Sequence, residues 1–146
     1  MPVADFTSWA SPDLVLPLGG HTYTVRPPSV RGARRILACA IRIEHSVGVV
    51  TGPIPDELAT LLEEIGGTLL EVVAFGQDVY DRMLDDELPA IEMQRAAIWT
   101  VIYWARGRTI ADAYGTALWG EQSEAAGAGE PDPKGPPRRR SGRRTG

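Results

Sequence analysis

The side chains able to do chemistry are few and scattered. The chain has two histidines, His21 and His45, and one cysteine, Cys39. Three such residues are too few for an ordinary structural zinc site, and a lone Cys cannot form an internal disulfide. Cys39 has no His motif beside it and falls on the face of its segment away from the local apolar stripe, so it reads as a bystander rather than a nucleophile. Asp78, Asp81 and Asp85 recur at helical spacing, an arrangement in which carboxylates share a face as they do in two-metal enzymes. Arg82 lies among them on what reads as a solvated helix end, which favours the plainer reading. Leu18-Gly19-Gly20-His21 reads as a tight turn rather than an anion loop. The sequence shows no Gly-x-Ser-x-Gly elbow, phosphate-cradling glycine loop, His-Glu-x-x-His or paired-Cys motif. It therefore points to a non-enzyme, with no catalytic residue, cofactor or metal ligand to name.

Two other groups suit binding. Arg31, Arg35 and Arg42 lie opposite the apolar stripe of one helical segment, with Arg34 at its border. Between Ser29 and Glu44 there are four Arg and one Glu, whereas Asp56 to Glu87 holds ten acids and one base. The arginines can dock on an acidic surface, either region 56–87 of the same chain or that of a neighbour. Opposite patches on one molecule favour head-to-tail self-association steered by charge. The second group is Trp99, Tyr103, Trp104 and Trp119, which add apolar surface to helices that already have an apolar stripe. Aromatics at helical spacing usually belong to a core, and they also suit a surface that holds an apolar partner.

These groups must be positioned by a chain of 146 residues with net charge −4. That length suits one domain with a tail. The start, Met1-Pro2-Val3-Ala4-Asp5, lacks the basic and apolar regions of a secretory leader. The longest apolar run, Ala96 to Ala105, includes Thr100 and falls short of the roughly 20 residues a bilayer requires. Residues 1–129 carry nine Arg against seventeen Asp and Glu, a net of −8; residues 130–146 carry six bases against two acids, a net of +4. Nine of the last twenty residues are Gly or Pro. The reading is a helical domain over 1–126 and a disordered Gly/Pro/Arg-rich tail over 127–146. The run Arg138-Arg139-Arg140-Ser141-Gly142-Arg143-Arg144 gives the tail a way to bind nucleic-acid phosphates.

Within the domain, Trp9 reads as an anchor. Leu14, Leu16 and Leu18, then Tyr23 and Val25, alternate around Gly19-Gly20, which predicts a β-hairpin over about 14–25 with Pro17 on an edge. Ser29 caps a helix whose stripe is Val30, Ala33, Ile36, Leu37, Ala40 and Ile41. Pro55 opens a second helix with Leu58, Leu61, Leu62 and Ile65 inward, and Gly66-Gly67 ends it. Thr68 caps a third, running to about Asp86 with a break or kink at Gly76. Pro89 restarts the chain into a helix that is apolar on every side and therefore belongs at a core centre or an interface. Gly107 ends that helix, and Thr109 caps a short last one. The fold class is thus mainly α, a small N-terminal β-hairpin followed by about five helices.

Three stretches in this order carry a family resemblance: Leu14 to Val25; Gly76-Gln77-Asp78-Val79-Tyr80-Asp81-Arg82-Met83-Leu84-Asp85-Asp86; and Thr100-Val101-Ile102-Tyr103-Trp104-Ala105-Arg106-Gly107 with Trp119 beyond. With the Pro/Gly/Arg tail, they resemble the tail assembly chaperones of long-tailed (siphovirus) phages of actinobacteria. Members of that family often have Gly-Val-Pro-Trp where this chain has Glu87-Leu88-Pro89-Ala90. The resemblance implies a non-enzymatic protein that binds the long helical tape measure protein and keeps it soluble in the host cytoplasm during tail assembly. Such a protein is absent from the mature virion. The resemblance also implies a longer form of the same protein, made by a programmed −1 frameshift near the end of the gene. The codons for Asp132-Pro133-Lys134 permit the heptamer C-CCA-AAG, and those for Lys134-Gly135-Pro136 permit G-GGC-CCC. A small nucleic-acid-associated protein and a head–tail adaptor of the virion are the alternatives.

Overall fold

The computed structural model describes residues 10–127, and only the backbone of 121–127. Trp9 and the tail from 128 onward, with Asp132 to Pro136, lie outside the described residues. The order is β1 (Leu14–Leu18), β2 (His21–Val25), α1 (Val30–Ser46), α2 (Asp56–Ile65), α3 (Leu70–Phe75), α4 (Gln77–Asp85), α5 (Ala90–Arg106) and α6 (Arg108–Gly127). The fold is mainly α with an N-terminal antiparallel hairpin, as the alternation and the Pro and Gly punctuation indicate.

The hairpin forms because Gly19 and Gly20 accept φ of +59° and +82°, the pair of left-handed conformations that a two-residue type I′ turn needs. The register pairs Leu14 with Val25, Leu16 with Tyr23 and Leu18 with His21. A two-residue loop makes Leu18 and His21 a hydrogen-bonded pair, so the next pair, Pro17 and Thr22, is not one. Pro17 therefore removes no ladder bond. Leu14, Leu16, Tyr23 and Val25 turn one buried face onto the helices. A lone hairpin is marginal in water, so that contact holds it. The Tyr23 hydroxyl donates to Asp86 Oδ2 at 2.7 Å, and His21 Nδ1 lies 3.7 Å from the same oxygen. These contacts tie the hairpin to the C-terminal end of α4.

Ser29 caps α1, its Oγ accepting from the Gly32 amide at 3.1 Å. The buried face of α1 is rotated from the expected stripe. Val30 is 83% exposed, while Ile36, Cys39, Ala40 and Glu44 are buried. Cys39 is thus a core residue, not one on the far face, and burial raises its thiol pKa against the opposing pull of Arg42. α1 packs against α2, α3 and α5, which together cover this face, and at its end the Glu44 carboxylate accepts from Arg106 Nε at 3.0 Å. Thr68 does not cap α3. Its amide donates to the Ile65 carbonyl at 2.6 Å, closing α2, and α3 begins after Leu69 without a side-chain cap. Gly76, at φ +84°, separates α3 from α4. Gly107, at φ +95°, ends α5 and precedes α6, which leaves Thr109 inside the first turn rather than capping it. The last helix is long, 20 residues, not short.

α5 is the centre of the core. It packs against α1, α3 and α6, and Met93, Ala97, Thr100, Val101 and Ile102 are buried on it. Ile91 is 54% exposed, while Met93 and Ala97 are buried.

Two predictions follow from the junctions. Burial, the hydrogen bond to Asp86 and its charge together raise the Tyr23 pKa from 10.0 to about 12, with Arg82 opposing. The native state then keeps a proton that the unfolded chain has lost. Stability contributed by Tyr23 is complete below pH 10 and fades as pH rises through 10 toward 12. Tyr23→Phe should lower stability at neutral pH by about 1 kcal/mol and flatten that alkaline decline, as read by urea unfolding at pH 7 and above 10. Glu87, at φ +53°, is the one non-glycine residue with positive φ among the described residues. Glu87→Gly should raise stability by about 0.5–1 kcal/mol, since a left-handed L-residue costs more than the added chain entropy of glycine.

Candidate partner-binding surface

The four arginines of α1 are all exposed. Arg31, Arg34 and Arg35 line a groove with Glu57, Thr60, Leu61 and Glu64 of α2, so they face acids of their own chain. No ion pair joins the two sides among the described residues. Arg42 lies beyond this groove.

The aromatic set divides. Trp99 and Tyr103, one helical turn apart on α5, stack with ring centroids 5.2 Å apart and planes 15° from parallel. The Trp99 indole donates to Asp112 Oδ1 on α6 at 3.0 Å, which fixes the ring. The Arg108 guanidinium sits 5.8 Å from the Trp99 ring centre and 5.6 Å from that of Tyr103; Arg95 sits 5.7 Å from that of Trp119. Trp99 and Trp119 line an open groove of about 810 Å³ between β1 and the α5–α6 pair. Its floor includes Leu16, Pro17, Leu18 and Ala96; Glu92, Arg95, Arg108 and Asp112 add charge of both signs. Trp104 is not part of it and lines a separate cavity beside α1 and α4.

Sequence reasoning missed the β1 contribution to this groove. The alternation of Leu14, Leu16 and Leu18 indicates a buried face, but which helices it meets is a long-range property. Asp78, Asp81 and Asp85, which the sequence places on a solvated helix end, are exposed. Asp81 accepts from Gln77 Nε2 at 2.8 Å, and no group of three or more His, Cys, Asp or Glu is placed to hold a metal ion among the described residues. No described helix is long and apolar enough to cross a membrane.

These features define a small, mainly helical domain with an open, aromatic-lined groove at the junction of its hairpin and last two helices. The chain belongs to the family described as a domain of unknown function, DUF7426, which matches residues 4–146. The match runs through the basic tail as well as the helical body. No curated protein and no solved structure matches the chain.

Gly115 lies where α6 approaches α5. A Cβ there would meet the rings of Trp119 at 3.7 Å and Trp99 at 3.8 Å, ordinary contact distances. Gly115→Ala should therefore stabilise the domain by about 0.5–1 kcal/mol through helix propensity, as measured by thermal unfolding.

Proposed function

We propose that this protein is a tail assembly chaperone that holds the tape measure protein of a long-tailed phage soluble, and that the groove between β1 and α5–α6 is where the client lies. The observation that carries the reading is the groove itself: half-buried Trp99 and Trp119 on an apolar floor, open to solvent, with charged residues of both signs. An amphipathic helix presents apolar side chains at i, i+3, i+4 and i+7 and fits such a groove. A long helical protein waiting for its tail tube exposes stripes of that kind. The rigid aromatic anchors supply contact area at low entropic cost, while the mixed charges set register. The resemblance over residues 14–120 and the Pro/Gly/Arg tail support the same reading. On this reading the tail is the point at which a −1 frameshift within Asp132 to Pro136 adds a second segment, and the longer form shares the groove.

The test is expression of the native gene, N-terminally tagged and with its downstream DNA, beside the tape measure gene of the same genome. The expected result is a soluble tape measure protein that co-purifies with the tag, with a minor longer product diverging within residues 130–146. Trp119→Ala should reduce recovered client at least about fivefold while leaving the domain folded, since removing a half-buried anchor from an interface costs on the order of 1–2 kcal/mol. Insoluble client in the presence of the intact protein would overturn the reading.

A further inference from the structure

The α1–α2 groove lies apart from the aromatic groove and shares no lining residue with it. One wall is basic: Arg31, Arg34 and Arg35 recur at helical spacing along the start of α1. The other is acidic: Glu57 and Glu64 stand about two turns apart on α2. All five side chains are exposed. None has an ion-pair or hydrogen-bond partner among the described residues, so each wall presents its charge unpaired.

An apolar stripe runs beside the basic wall. Val30, Ala33 and Leu37, at i, i+3 and i+7 of α1, are all exposed, Val30 at 83%. Helical periodicity marks them as a face to be buried, and no described element of this chain covers them. An apolar centre with a charged rim is the make-up of a protein interface.

The charge pattern is also self-complementary. In a two-fold dimer whose axis runs along the groove, α1 of each copy lies over α2 of the other. The basic wall of each copy then meets the acidic wall of its partner, twice. An axis across the groove would instead set like charges together, which opposes association. Contacts of the first kind are isologous and close into a dimer, unlike the head-to-tail association that patches on separate faces would give.

We infer that the α1–α2 groove, with the exposed stripe of Val30, Ala33 and Leu37, is an interface at which a second copy of this chain docks by two-fold symmetry, basic wall to acidic wall. A second copy fits better than a nucleic acid or an acidic peptide, because the Glu57–Glu64 wall repels either. The inference is separate from the aromatic groove and does not rest on the chaperone reading.

The experiment is sedimentation of the full-length chain across a range of concentrations and salt. The expected result is a reversible monomer–dimer equilibrium that weakens as salt is added. Arg31→Glu with Arg34→Glu makes both walls acidic, and Glu57→Arg with Glu64→Arg makes both basic. Each doubly reversed chain should dimerise at least about tenfold more weakly, because like charges then meet across the axis. Each should keep its helical circular dichroism, since the altered side chains are exposed and unpartnered. Mixed in equal amounts, the two should form a heterodimer about as strong as the unaltered homodimer, because acidic walls again face basic ones; a misfolded chain would not be rescued in this way. A monomer at every concentration, an association that both reversed chains keep undiminished, or a mixture no stronger than either chain alone would each overturn the assignment.

Discussion

The core of this domain is arranged around α5, which is apolar on most of its faces and packs against α1, α3 and α6. Its buried residues Met93, Ala97, Thr100, Val101 and Ile102 take contacts from α1, α3 and α6. Thr100 is included at the cost of a buried hydroxyl without a partner. A helix apolar on most sides has to be wrapped, and the elements of this chain are short and cut by Pro and Gly so that they can wrap it. The Glu44–Arg106 pair fixes α1 against one end of α5. Gly107 folds α6 back beside it. What the wrapping leaves open on the side of β1 and α6 becomes the groove that Trp99 lines.

The hairpin is the element most dependent on this arrangement. Two strands alone would not persist, and its buried face supplies Leu14, Leu16, Tyr23 and Val25 to the common core. Its position is set by Tyr23, which reaches 63 residues along the chain to Asp86. That bond leaves the β1 side of the hairpin to form a wall of the aromatic groove. A change that loosens Tyr23 would therefore be felt at the groove without touching it.

Much of the fold is legible locally. Gly19-Gly20 between alternating runs specifies the turn, and Pro55, Gly76, Pro89 and Gly107 mark where helices begin or end, because each of these residues restricts or frees the backbone in a way no neighbour overrides. Two features of the helices are not legible in this way. The buried face of α1, with Cys39 in and Val30 out, escapes a sequence stripe because Glu44 counts as polar there, and Glu44 is buried beside an arginine 62 residues away. Thr68 has the chemistry of a cap for the helix after it, yet its amide is taken by the helix before it. The candidate site is half legible because its walls come together only through long-range packing. Aromatic content marks Trp99, Tyr103, Trp104 and Trp119, but only packing shows that Trp104 faces a different cavity and that Leu16 to Leu18 completes the groove.

The most direct measurement for the proposed role is hydrogen exchange on the complex of this protein with a helical segment of the tape measure protein. The account expects new protection on binding at residues 16–18, 92–99 and 108–120, with the α1–α2 face, where Arg31 and Arg34 lie against Glu57 and Glu64, unchanged. Protection confined to the α1–α2 face or to the tail, with the groove unprotected, would contradict it.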